Sequence, residues 1–97
     1  MEQKVTELSK NAEEILLITA EECGEVVQAI TKIFRFGLDV EYNGITNTER
    51  LIDELGDVVC MIGLVMEEFN IPEELLSQSA FNKLEKLRKW SRIQDLG

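Results

Sequence analysis

The sequence predicts an all-α protein: a bundle of three main helices, the first two antiparallel, completed by association with further copies of the chain. Three observations lead there. Apolar residues recur at helical spacing over long stretches. Breakers are scarce, with one proline and six glycines in 97 residues. Gly37, Gly44 and Pro72 fall where helices should start or stop.

The first helix is expected from about Gln3 to Arg35. Val5, Leu8, Ala12, Ile15, Leu16, Cys23, Val26, Ile30 and Phe34 supply its apolar stripe, and Gly37 is placed to end it. A loop follows, with Gly44 as a turn residue. The second helix should begin after Thr46, because "TNTE" reads as a capping box in which Thr46 and Glu49 satisfy each other's backbone. Leu51, Ile52, Leu55, Val58, Val59, Ile62, Val65, Met66 and Phe69 carry it onward. From Val58 to Met66 it is apolar nearly all round, which predicts a central, largely enclosed helix. Pro72, Glu73 and Glu74 open the third helix, with proline at its first position and acids at the positive end of the dipole. Leu76, Ala80, Leu84 and Leu87 form its predicted buried stripe. Residues 1–97 are expected to make one domain, and a core this small favours a homo-oligomer.

Composition narrows the function. The net charge of −9 argues against a nucleic-acid partner, which would meet a basic face. "VVCMIGLVM" is too short to span a bilayer, so no membrane partner is expected. "MEQKVTELSK" lacks the apolar core of a signal peptide, which points to a cytoplasmic protein. There Cys23 and Cys60 read as small buried thiols rather than a disulfide. The absence of histidine removes Ser-His-Asp and Cys-His nucleophiles, Cys/His zinc sites and Glu-x-x-His di-iron centres.

Against this background, "TAEECGEVVQ" concentrates charge. Glu22 and Glu25 are three apart, as are Glu54 and Asp57 in "DELGDVV", and that spacing sets side chains roughly 5–6 Å apart at Cβ on one helix face. Both pairs sit beside an apolar stripe, so antiparallel helices can turn them toward each other across a groove. Four carboxylates there would repel, each unit-charge pair at 4 Å costing about 4 kcal/mol at an effective dielectric of 20. Protonation or bound cations must relieve this. An oxygen-only ligand set favours Mg²⁺, with Mn²⁺ as a substitute, over zinc. The same spacing also fits an acidic face turned to solvent, and the residues alone leave both readings open. Gly24 and Gly56 lie inside the two pairs; close helix approach is the plain reason for them.

"EECGE", then 28 residues, then "ELGD" resembles the signature of the MazG-like all-α nucleotide pyrophosphohydrolases, a superfamily that includes dimeric dUTPases and phosphoribosyl-ATP pyrophosphatases. "KIFRFG", "TNTERLIDELGDVV" and "FNKLEKLRK" extend the resemblance to the short phage and bacterial MazG-like proteins over nearly the whole chain. The resemblance implies an enzyme that hydrolyses a (d)NTP between its α and β phosphates, giving monophosphate and pyrophosphate, for nucleotide-pool control or house-cleaning. Glu22, Glu25, Glu54 and Asp57 would hold Mg²⁺, and Glu21 would orient the attacking water. Lys83 and Lys86 would bind phosphates and Asn82 the sugar or base, with Lys32 and Arg35 reaching the same groove. Relatives form dimers or tetramers, and a dimer of dimers is the expectation. Leu87 stands where a second arginine often sits in the family, a departure that bears on the phosphate contacts. The extra helices of dUTPases are not matched, which weakens a uracil-specific reading. Trp90 reads as packing at a helix or subunit contact. The competing reading is a non-catalytic helical oligomerisation or regulatory module with a cation-binding acidic groove.

Overall fold

The computed structural model describes residues 7–96. The chain is all-α, as expected, with a small hairpin between its first two helices. In order, the elements are α1 (Lys10–Phe36), β1 (Glu41–Tyr42), β2 (Ile45–Thr46), α2 (Asn47–Glu68) and α3 (Glu73–Trp90). The described residues form two compact units that divide between Val65 and Met66. The first contains α1, the hairpin and most of α2; the second contains the end of α2 and α3.

Helix α1 starts later than predicted. Ser9 caps it, its Oγ accepting a 3.0 Å hydrogen bond from the Ala12 N–H. A serine at this position satisfies one of the free amides of the first turn, and Glu7–Ser9 stay non-helical. Gln3 and Val5, where the expected helix began, lie outside the described residues. The other end agrees with expectation. Gly37 takes φ 98 and its N–H reaches the Ile33 carbonyl at 2.8 Å, a backbone conformation that glycine adopts without a Cβ penalty.

The segment expected as a loop folds into a two-stranded antiparallel hairpin, with Tyr42 opposite Ile45. Asn43 and Gly44 make its turn with φ 56 and 78, the paired positive values of a type I′ turn. The hairpin runs straight into α2 through the capping box. The Glu49 N–H donates to Thr46 Oγ1 at 3.1 Å, and the Thr46 N–H donates back to Glu49 Oε1 at 3.2 Å. The start of α2 also fastens the connection leaving α1. The Asn47 and Thr48 N–H groups donate to the Val40 and Leu38 carbonyls, each at 3.1 Å, and Asn47 Nδ2 donates to the Gly37 carbonyl at 2.8 Å. Asn47 is 7% exposed, the one buried polar residue among those described.

Helices α1 and α2 are antiparallel. The buried residues of the first unit are Ala12 and Ala29 of α1 and Asn47 and Met61 of α2. Half-buried Ile15, Ile18, Val26 and Ile33 share α1's inner face; Leu51, Val58 and Val65 share that of α2. The predicted stripe of α1 therefore merges two faces. Leu16, Cys23, Ile30 and Phe34 lie on the outer one, Phe34 being 87% exposed. Nor is α2 enclosed within one chain: Val59 is 68% exposed, and Ile62 and Leu64 are exposed too. Both cysteines are free thiols but exposed, not buried. A Cβ added at Gly24 or Gly56 would meet nothing within 4 Å, so close approach of helices is not their reason within this chain.

In the second unit, Asn70 takes φ 52 and the Ile71 N–H bonds to the Met66 carbonyl at 2.9 Å, turning the chain after α2. Pro72 is the N-cap of α3 rather than its first helical residue; its carbonyl accepts from the Leu75 N–H at 3.1 Å. No residue of α3 is buried. Leu84 and Leu87 of the predicted stripe are half-buried, whereas Leu76, Ala80 and Trp90 are exposed.

Candidate metal and nucleotide site

The acidic motifs meet across the α1–α2 pair. Carboxylate oxygens of Glu22, Glu54 and Asp57 all lie within 4.8 Å of one another. Glu22 belongs to the inner face of α1, between Ile18 and Val26, and is half-buried. Glu54 is half-buried on the inner face of α2, and Asp57, three residues on, is exposed at its edge. Three residues advance a helix by about 300°, so the second acid of each motif falls to one side of the first. That rotation keeps Asp57 within reach of Glu22. It leaves Glu25 exposed and outside the three-residue cluster.

Electrostatics shows that the acids feel one another. The Glu22 carboxyl is pushed above its ordinary pKa, first by partial removal from water. The Asp57 charge and a hydrogen bond with Asp57 come next, followed by the charges of Glu54 and Glu25. Each cause disfavours the charged form of Glu22. The donor set is oxygen only, in a chain without histidine. It fits a hard divalent cation, whose charge would reverse the sign of the local repulsion.

The remaining sequence candidates are distributed as follows. Glu21 is exposed next to the cluster on α1. Lys32 lines a cavity of about 490 Å³ between the end of α1, the hairpin and the start of α2. Arg35 lies 5.2 Å over the Phe36 ring. On α3, Asn82 Oδ1 accepts a 3.0 Å hydrogen bond from Gln78 Nε2, and Lys83 and Lys86 are exposed. Arg50 was not singled out in the sequence, yet it is half-buried on α2 and lines the same cavity as Lys32. Its position four residues before Glu54, on the same helical face, was the available signal.

A family model for the MazG nucleotide pyrophosphohydrolase domain matches residues 10–90. The chain belongs to the MazG family. This agrees with the resemblance carried by "EECGE" and "ELGD"; the family is one of nucleotide pyrophosphohydrolases, which are hydrolases. The MazG family is typically dependent on a divalent metal, and the acidic cluster of this member is of a kind that could hold one. No curated protein and no solved structure matched the chain significantly. Among the described residues, no helix is long and apolar enough to cross a membrane.

Proposed function

We propose that the protein is a Mg²⁺-dependent pyrophosphohydrolase that cleaves a (d)NTP to (d)NMP and pyrophosphate, for nucleotide-pool control or house-cleaning in the cytoplasm. The observation that carries this reading is the convergence of Glu22, Glu54 and Asp57 within 4.8 Å in a MazG chain. A triphosphate carries about four negative charges at neutral pH and could not approach such a cluster without cations.

Glu22, Glu54 and Asp57 are the ligands, with Glu25 joining from the rim of the same helix face. A divalent ion bound to them would neutralise the phosphate oxygens and the charge that builds up on departing pyrophosphate. Mn²⁺ has the same preference for oxygen and is the expected substitute. Glu21, exposed beside the cluster, accepts a hydrogen bond from the attacking water and orients its lone pair toward the α phosphorus. Lys32 and Arg35 offer positive charge along α1 toward the substrate. Asn82, Lys83 and Lys86 remain assigned to substrate binding on the family resemblance, to be tested by the KM of variants lacking each polar group.

The chain acts as one domain within a homo-oligomer, a dimer or a dimer of dimers, without nucleic acid or membrane as partner. The apolar outer faces of α1 and α2 support association, since a run such as Val27, Ile30 and Phe34 left in water is unfavourable.

A panel of canonical and altered (d)NTPs with Mg²⁺, read by product identity, tests the reading. Monophosphate plus pyrophosphate is the expected result. Diphosphate plus orthophosphate would indicate different chemistry. No turnover of any nucleotide would favour the non-catalytic module, whose acidic groove binds cations without using them.

A further inference from the structure

The cavity beside the hairpin has a composition that the carboxylate cluster does not explain. Lys32 and Phe36 of α1, Val40, Glu41 and Tyr42 of the hairpin segment, and Asn47 and Arg50 of α2 line it. In a chain of net charge −9, it sets two cations against a single acid, Glu41. Neither Lys32 nor Arg50 makes an ion pair with another described residue. Two aromatic rings stand beside them. Apolar and aromatic walls with a few convergent donors are the usual make-up of a small-molecule site, and about 490 Å³ is ample for a nucleoside.

We propose that this cleft seats the nucleoside end of the substrate, with Tyr42 and Phe36 supplying a face for the base and Arg50 and Lys32 supplying donors. The proposal rests on the hydrolase reading above. Register along α2 supports it. Arg50 precedes Glu54 by one helical turn on the same face, about 6 Å along the axis at 1.5 Å per residue. A ligand whose phosphates lie at the carboxylates can therefore extend past Arg50 into the cleft. The cleft is also held in shape before any ligand arrives. The start of α2 fastens the segment leaving α1 at the Gly37, Leu38 and Val40 carbonyls, and Arg35 lies over the Phe36 ring. Such preorganisation lowers the ordering cost of binding.

The test begins with the full chain in EDTA, titrated with dGMP, dAMP, dCMP and dTMP while backbone amide shifts are followed by NMR. Shifts concentrated in residues 36–50 for at least one monophosphate are expected. Tyr42→Ala and Arg50→Ala should each weaken that binding roughly tenfold, and Tyr42→Phe should retain it, because stacking needs only the ring. Tyr42 is 71% exposed, so its truncation spares the core. With Mg²⁺ present, both alanine variants should raise the KM for a hydrolysed (d)NTP while leaving kcat within about twofold, the pattern of lost uniform binding. Binding of tripolyphosphate to the Mg²⁺-loaded protein should survive Tyr42→Ala unchanged. No binding of any monophosphate, shifts centred elsewhere, or unaltered KM in both variants would overturn the cleft assignment and leave the hydrolase reading standing. Wild-type protein that turns over no (d)NTP would instead remove the hydrolase reading, and the metal-free titration would still decide the cleft.

Discussion

Glu22 of α1 and Asp57 of α2 bring carboxylate oxygens within 4.8 Å across the helix pair, and that approach helps hold the Glu22 pKa above its ordinary value of 4.5. A raised carboxyl pKa means that the folded chain takes up a proton more readily than the unfolded one. Stability contributed by this group is therefore greatest below pH 4.5 and falls as pH rises through the raised value; at neutral pH the metal-free protein bears the repulsion in full. Glu22→Gln should raise the melting temperature of metal-free protein at pH 7 and flatten the fall in stability above pH 4.5. Mg²⁺ should raise the melting temperature of wild type at pH 7, by mass action on the folded state, and do so much less in the variant. Equal Mg²⁺ stabilisation of both proteins would separate Glu22 from the metal.

Glu54 sits across from Glu22 on the inner face of α2, half-buried and inside the cluster. Glu54→Gln keeps the volume and removes the charge. Loss of kcat on the order of 100-fold or more is expected, since even outer contacts to a metal are worth 10–100-fold. Helix content by circular dichroism should be unchanged. Pyrophosphate release by the variant at the wild-type rate would remove Glu54 from the ligand set.

How far the sequence reveals this molecule depends on the range of each interaction. Thr46 and Glu49 satisfy each other within one turn, so the start of α2 is written locally and is correctly read. Gly37 is similar, because its φ of 98 excludes most other residues. Of the two acidic spacings, the structure brings Glu22, Glu54 and Asp57 together across the helix pair and leaves Glu25 outside, because three residues turn a helix by less than a full circle. By contrast, nothing local says which apolar side of α1 faces α2. Leu16, Cys23, Ile30 and Phe34 have the same periodicity as Ala12, Ile15, Val26 and Ile33, and only the pairing with α2 separates the two sets. The small residues Ala12 and Ala29, which are the buried ones, mark the contact face better than the large ones do. The hairpin was legible in principle from Asn43-Gly44, but strands of two residues carry no alternation to detect. Arg50 carries a local signal in its four-residue spacing from Glu54, but Lys32 is distant in sequence and only the fold brings the two to one cavity.

The junction behind that cavity depends on Asn47, buried and donating to the Gly37 carbonyl at 2.8 Å. Asn47→Ala strands that carbonyl and opens a small void. A loss of about 1–3 kcal/mol in urea unfolding is expected, the usual cost of an unpaired buried group. Gly37→Ala should cost about 1 kcal/mol through backbone conformation alone. Space is not the reason, since the added Cβ would meet only Val40 Cγ2, at 4.0 Å. If both variants unfold at the wild-type urea midpoint, the junction does not hold α1 and α2 together.

Finally, the outer face of α2 presents Ile52, Leu55, Val59 and Ile62 at intervals of three and four, all exposed. Apolar residues at that spacing form the seam along which one helix packs on another. We take this as the face that a second copy of the chain covers. Val59 is the test position, being 68% exposed and remote from the inner face that holds Glu54. Val59→Glu alters nothing within the chain's own packing, so a monomer should keep its helix content. Buried against a partner, the new carboxylate would be costly, and two symmetry-related copies would repel. Light scattering should then show the wild type as a dimer or tetramer and the variant shifted toward smaller species at the same concentration. If wild type and variant share one mass, either the chain does not associate or it does so through the outer face of α1, where Phe34→Glu would be the corresponding substitution.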